Sequence, residues 1–213
     1  MPSYQKNLPL IIAPSASLDE AAAVFKNGGI IVYPTETFYA LGADPFNPVA
    51  IKRLFDLKGR PSSMPLSVIV KDAAMLGCIT SNITPLAQRL MDAFWPGPLT
   101  IIFDGLPSLP AELTASTGSV AARVSSDPVC CRLLDALDAP VTATSANPTG
   151  KPPASDASVV NEYFDGRIDL LIDGGRLKEA SGSTIVDCRG HSPIIVRHGM
   201  ITEADIMRVC QGR

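Results

Sequence analysis

The sequence lacks most of the features that announce a familiar site. It has no run of roughly 18 apolar residues, the length a membrane-spanning helix needs, so no membrane segment is expected. The apolar patch from Leu8 to Ala13 follows a single lysine and is broken by Pro9 and Pro14, a poor match to a signal peptide. Neither G-x-x-x-x-G-K-[ST] nor G-x-G-x-x-G occurs, which excludes both standard phosphate loops. Gly174-Gly175 reads as a turn, and no G-x-S-x-G elbow offers a serine nucleophile. The two histidines, His191 and His198, lie late in the chain with no cysteine or carboxylate at metal-ligand spacing. No protein-bound metal site is expected. The five cysteines (Cys78, Cys130, Cys131, Cys188 and Cys210) are odd in number and form no C-x-x-C pair. They read as reduced, mostly buried thiols of a cytoplasmic protein. A net charge of −3 leaves no broad face for nucleic acid.

What is present suits a folded enzyme core. The 213 residues are 46% hydrophobic and 18% charged, with no internal repeat and no linker, so residues 1–213 read as one domain. Ser17-Leu18-Asp19-Glu20 has the spacing of a capping box, with Ser17 as N-cap of a helix that Gly28-Gly29 stops. Asn47-Pro48, Thr84-Pro85, Asp127-Pro128 and Thr202 mark four further helix starts. Strands are expected at 30–33, 66–70, 99–103, 120–124, 140–144, 168–172, 183–186 and 194–197. Short helices are expected at 72–77 and 155–164, and residues 105–119 read as a loop or lid. Trp95, the only tryptophan, reads as a packing anchor inside a stiff Trp-Pro-Gly-Pro loop. Helices and strands alternate early and strands cluster late, which predicts an α/β fold with a mixed sheet.

One stretch stands apart. Ile30-Ile31-Val32-Tyr33 has the composition of a buried strand, Pro34 ends it, and Thr35-Glu36-Thr37 places two hydroxyls around a carboxylate. Polar groups just past the end of a buried strand are where an open α/β sheet meets a ligand. Lys58 and Arg60 follow at the end of the next helix, where they are free to turn towards a ligand or simply to complement the helix dipole. Arg123 near a strand end requires an anionic partner if it is buried. The loop from Ser145 to Pro153 offers a hydroxyl, an amide and Lys151, groups that suit a nucleotide.

Pro34-Thr35-Glu36-Thr37-x-Tyr39-x-Leu41-Gly42 followed by Lys58-Gly59-Arg60-Pro61 resembles the signature of the YrdC/Sua5 family. Phe94 to Thr100, Val120 to Arg123, Thr144 to Asn147, Gly182 to Ile185 and Val196 to Gly199 continue it in the family's order. The resemblance runs from about Ala21 to Gly199. It implies a YrdC/RibB-like domain, a large twisted mixed sheet flanked by helices around a concave basic cleft. It also implies an enzyme that makes threonylcarbamoyl-adenylate and pyrophosphate from L-threonine, bicarbonate and ATP with Mg2+, a nucleotidyltransferase serving threonylcarbamoyladenosine formation in tRNA. On this resemblance Lys58 and Arg60 grip the phosphates and act catalytically. Thr114, Ser145, Asn147, Lys151 and Arg197 hold the rest of ATP, and Thr35, Arg123 and Ser183 hold threonine.

The chain departs from the family at Met64, Ile69, Gly182 and His198, near the implied pockets, so amino-acid preference is the property most open to change. The competing reading is a family paralogue that binds RNA or a nucleotide without this catalysis. Longer family members append a second domain, whereas here only a short helix follows Gly199. A separate tRNA threonylcarbamoyl transferase complex is therefore the expected partner for the product.

Overall fold

The computed structural model describes residues 9–61, 63–178 and 180–211; the first eight residues, read above as no signal peptide, lie outside them. In chain order the elements are β1 (Leu10–Ile12), α1 (Asp19–Lys26), β2 (Ile31–Tyr33), β3 (Ala40–Gly42), α2 (Pro48–Lys58) and β4 (Ser67–Ile69). Then come α3 (Ala73–Leu76), α4 (Pro85–Phe94), β5 (Leu99–Asp104), α5 (Ala111–Thr114), β6 (Ser119–Arg123) and α6 (Pro128–Leu137). The chain closes with β7 (Val141–Thr142), β8 (Thr144–Ser145), α7 (Ala157–Phe164), β9 (Leu170–Ile172), β10 (Thr184–Asp187), β11 (Ile194–Arg197) and α8 (Glu203–Cys210).

The helix starts follow from side-chain caps. Asn47 accepts the N–H groups of Val49 and Ala50, Thr84 that of Ala87, Asp127 those of Val129 and Cys130, and Thr202 that of Asp205. Three of these caps precede proline at the first helical position, where a missing N–H costs nothing. The capping box at α1 does not form. Leu18 occupies the N-cap with no side-chain cap bond, and the Ser17 hydroxyl donates to Asp19 at 2.7 Å. Burial of Leu18, Ala21, Ala22 and Phe25 against the core fixes that helix instead.

The single large sheet expected from the sequence is two mixed sheets. One has the order β1-β9-β2-β3-β8 and the other β11-β10-β5-β6-β4-β7. They separate where the predicted 140–144 strand breaks. Thr142 pairs with Val68 of β4, whereas two residues later Thr144 pairs with Leu41 of β3. At the crossing the Thr142 N–H donates to the Ala43 carbonyl and Ala143 N–H to that of Ser67. One apolar core spans both sheets, joining Ile30, Val32 and Leu41 to Val68, Leu99, Ile101 and Ala122.

Three other expectations change. β1 and β3 are strands that the sequence reading passed over, and residues 105–119 contain α5, with Leu109, Leu113 and Thr114 buried, so they are not a bare lid. Of the five free cysteines only Cys130 and Cys188 are buried, while Cys78 and Cys131 are exposed. Trp95 does act as an anchor. Its indole N–H donates to the Leu99 carbonyl at 2.7 Å and its ring meets Phe103 edge-on.

Candidate functional site

The site is built around the segment between β2 and β3. Pro34 ends β2, and the Thr35 hydroxyl then closes the turn on itself. It accepts the N–H groups of Thr37 and Phe38 and donates to the Phe38 carbonyl at 2.7 Å. That turn leaves Glu36 between its two threonines with its carboxylate directed across to the second sheet. There Oε1 receives Arg123 Nη1 and Oε2 receives the Ser125 hydroxyl. Arg123 stands at the end of β6, in register with Ile69 of β4, and burial lowers its pKa. Thr35 and Arg123 were expected here. Glu36 was not named as a functional residue, although its place as the lone carboxylate past a buried strand was the available signal.

A second polar group forms where α2 ends. Asn47 caps the helix start and Gly59, at φ 59°, terminates it, a conformation glycine adopts without strain. Lys58 is its last residue and is buried rather than free in a loop. Its Nζ donates to the carbonyls of Ser145 and Asn147 at 2.5 and 2.8 Å and lies 3.5 Å from Asn147 Oδ1. The Ser145 hydroxyl donates to Asn147 Oδ1 at 2.6 Å, and Asn147 Nδ2 donates to the carbonyls of Pro148 and Lys151. Pairing of Ala40 with Ser145 fixes this loop against β3, so the same connection feeds both polar groups. Burial lowers the Lys58 pKa to about 7, and the neighbouring Arg60 charge pushes the same way. Arg60 is half-buried and holds local carbonyls, Pro65 at 2.9 Å and Met64 at 3.4 Å.

Ser183 and Arg197 form a third group. Arg197 Nη2 donates to the Ser183 carbonyl and hydroxyl at 2.8 and 2.9 Å, and that hydroxyl meets Thr100 Oγ1 at 2.8 Å. Gly182, at φ +79°, lies beside both Phe38 and Arg197. A Cβ there would sit 3.4 Å from Phe38 Cε2 and 3.7 Å from Arg197 Nη2. The Arg197 charge reaches Arg123 and further disfavours its protonation. The residues read as nucleotide-binding and threonine-binding therefore adjoin here.

Three expected residues, Arg60, Thr114 and Lys151, bring no side chain to these bonded groups. Thr114, at the end of α5, is buried and its hydroxyl reaches only the Ala111 carbonyl, at 3.5 Å; the Lys151 side chain stands in solvent while its carbonyl serves Asn147. Among the described residues no three His, Cys, Asp or Glu side chains converge on a possible metal, and no helix is long and apolar enough to cross a membrane. A cavity of about 310 Å³ lined by Thr84, Arg89, Arg189 and His191 shares none of these groups, and Arg189 is already held there by Asp187.

Comparison with known proteins places this geometry. The Sua5/YciO/YrdC family, described as telomere recombination, matches residues 23–199. Threonylcarbamoyl-AMP synthase of Bacillus subtilis is 37% identical over 89% of the chain. The chain spans just over half the length of the first two curated relatives, 56% and 55%, and 89% of a putative threonylcarbamoyl-AMP synthase of Mycobacterium tuberculosis, to which it is 33% identical. The crystal structure of P. abyssi Sua5 complexed with L-threonine superposes with a TM-score of 0.89 at 31% identity, covering 95% of this chain and 61% of that one. E. coli YciO superposes at 0.83 with 28% identity, covering 92% of this chain and 98% of that one. With the Thr35–Glu36–Arg123 turn, the Lys58 corner and the Ser183–Arg197 pair all inside the matched span, the chain belongs to the Sua5/YciO/YrdC family.

Proposed function

We propose that the protein is a threonylcarbamoyl-adenylate synthase, consuming L-threonine, bicarbonate and ATP and releasing pyrophosphate. The observation that carries this reading is the pairing of two unlike polar groups on one connection. Lys58 with Arg60 offers positive charge whose hydrogen bonds go only to neutral carbonyl and amide oxygens. Arg123, held by Glu36, and the Ser183–Arg197 pair offer fixed donors on the side of the Thr35–Phe38 turn. The first suits phosphates and the second a carboxylate, because a guanidinium fork matches two oxygens.

The chemistry requires no covalent nucleophile from the protein. The amine of threonine and bicarbonate yield a carbamate with loss of water. A carbamate oxygen attacks the α-phosphorus, and pyrophosphate leaves. Catalysis is then positioning together with cations over the phosphates as charge moves onto the leaving group. Lys58, fixed by the Ser145 and Asn147 carbonyls, has a third donor with only a long contact, at 3.5 Å, to release to a phosphate oxygen. Ser145, Asn147, Lys151, Thr114 and Arg197 frame the remainder of the nucleotide, and Thr35 shapes the amino-acid side through its turn. Magnesium would enter with the ATP substrate and supply charge neutralisation at the phosphates; among the described residues no carboxylate cluster would hold it separately.

On this reading the protein is a cytoplasmic nucleotidyltransferase whose labile product a tRNA-modifying transferase complex consumes. The competing reading, a paralogue that binds RNA or nucleotide without turnover, shares the basic corner and predicts a different assay result. The test is pyrophosphate release from ATP across an amino-acid panel. Release that depends on both bicarbonate and threonine supports the synthase. Steeply salt-dependent RNA binding without any release supports the paralogue.

A further inference from the structure

We infer that Glu36 and Arg123 form a clamp for a zwitterion, with Glu36 receiving the α-ammonium of the amino acid whose carboxylate Arg123 holds. The inference rests on the reading that this site takes a free amino acid. It assigns to Glu36 a binding role beyond that reading.

The argument starts from unused hydrogen-bonding capacity. The Arg123 and Glu36 side chains are 7% and 13% exposed, so both are largely out of water, yet neither is sealed. A guanidinium carries five N–H donors and a carboxylate about four lone-pair sites. Among the described residues, Arg123 is bonded to Glu36 through Nη1, and Nε and Nη2 meet no protein acceptor. Glu36 has one bond on each oxygen, from Arg123 and from the Ser125 hydroxyl, which leaves lone pairs on both. The pair thus offers a cation and an anion side by side, each with spare hydrogen-bonding capacity and some remaining exposure.

Charge then selects the class of ligand. Lys58 is solvated by carbonyls with no carboxylate in its hydrogen-bonded group, so that corner stays net positive and suits a polyanion. The Glu36–Arg123 pair is net neutral, which makes it a poor seat for phosphate and a good one for a neutral dipole. A free α-amino acid has that form, an ammonium and a carboxylate on one carbon. A buried ion pair contributes little to stability compared with apolar packing of similar size. Its presence here is better explained by recognition than by folding. Ser125 keeps Glu36 aimed by holding its second oxygen.

The test compares ligands that differ only at the group Glu36 would bind. Calorimetry measures L-threonine and 2,3-dihydroxybutanoate, in which a hydroxyl replaces the ammonium, against wild type and Glu36→Gln. Wild type should prefer threonine by about tenfold or more, the scale of a hydrogen bond to a charged group, and the variant should lose most of that preference. A purely structural Glu36 would weaken both ligands together and leave their ratio unchanged, which overturns the clamp. Thermal melting checks that Glu36→Gln folds. If it does not, Ser125→Ala, which keeps both charges, should narrow the same ratio, and an unchanged ratio there is equally fatal. Wild type that binds ATP but no free amino acid would overturn the functional reading together with the clamp. A wild type active in pyrophosphate release with the ratio intact in Glu36→Gln sinks the clamp alone.

Discussion

Lys58 and Arg123 are both buried cations, 4% and 6% exposed, and the protein accommodates them in opposite ways. Around Lys58 it supplies carbonyl dipoles from the Ser145–Asn147 loop and no bonded counter-charge, so the positive charge is left unbalanced and burial lowers its pKa to about 7. Around Arg123 it supplies Glu36, so the charge is cancelled locally while donors remain. The lysine corner has a cost that an arriving anion relieves. The arginine corner is already balanced, and a ligand must match both signs. Removing a cation from each corner should therefore give different signatures.

The largest effect is expected at Lys58. Lys58→Ala should lower ATP turnover by about 10²- to 10³-fold, the scale of losing one preorganised donor. It should also destabilise the fold by about 1–3 kcal/mol, because the Ser145 and Asn147 carbonyls lose their shared donor. Steady-state kinetics and denaturant melts read the two separately. Near wild-type turnover at saturating ATP, bicarbonate and threonine would remove Lys58 from the phosphate site.

Arg60 provides the control within the same corner. It bonds only the nearby Met64 and Pro65 carbonyls, so Arg60→Ala should leave stability within about 0.5 kcal/mol, the usual range for such positions. Its activity should still fall by about 10²-fold if it contacts phosphate in the transition state. Equal losses of stability in both variants would erase the distinction between a cation the fold is built on and one it merely carries.

These two residues also show what the sequence could reveal. Capping residues located α2, α4, α6 and α8, the first three with proline following the cap, because an N-cap is a local bond between neighbours. The end of α2 at Lys58-Gly59 was legible for the same reason. The fate of the Lys58 side chain was not, since its partners Ser145 and Asn147 are far along the chain. They reach it only because the chain changes sheets at Thr142–Thr144. That same crossing divides the expected single sheet into two. β1 and β3 escaped notice because Leu10–Ile12 sits between Pro9 and Pro14, and Ala40-Leu41-Gly42 lacks the β-branched run that marks Ile31–Tyr33. Glu36 was visible as a carboxylate between threonines, but its pairing with Arg123 and Ser125 is a product of the tertiary fold.

Thr35 tests the other corner at a smaller scale. Its hydroxyl is consumed by the turn that aims Glu36, with Phe38 as acceptor at 2.7 Å. Thr35→Val should therefore cost about 1–3 kcal/mol in stability and raise the KM for threonine while leaving that for ATP nearly unchanged. A selective threonine defect with unaltered stability would mean that the hydroxyl meets the ligand directly, and not only through the turn.

The smallest and sharpest test is pH. An ordinary lysine stays protonated to about pH 10, whereas Lys58 in the folded protein releases its proton near 7. Only the protonated form attracts phosphate, so affinity for a non-hydrolysable ATP analogue should weaken as pH rises through about 7. The slope is at most tenfold per unit and levels off once the bound-state pKa is passed. Folding runs the opposite way. Between about 7 and 10.5 the unfolded chain holds a proton at this position that the folded chain lacks. The Lys58 contribution to stability therefore rises with pH across that window. Calorimetric titrations with the analogue avoid the changing bicarbonate supply, and melts over the same range supply the second curve. Lys58→Met should flatten both curves, since it keeps much of the side-chain length and removes the titrating group. Curves that keep their slopes in Lys58→Met would place the proton, and the charge the corner offers to phosphate, on some other group.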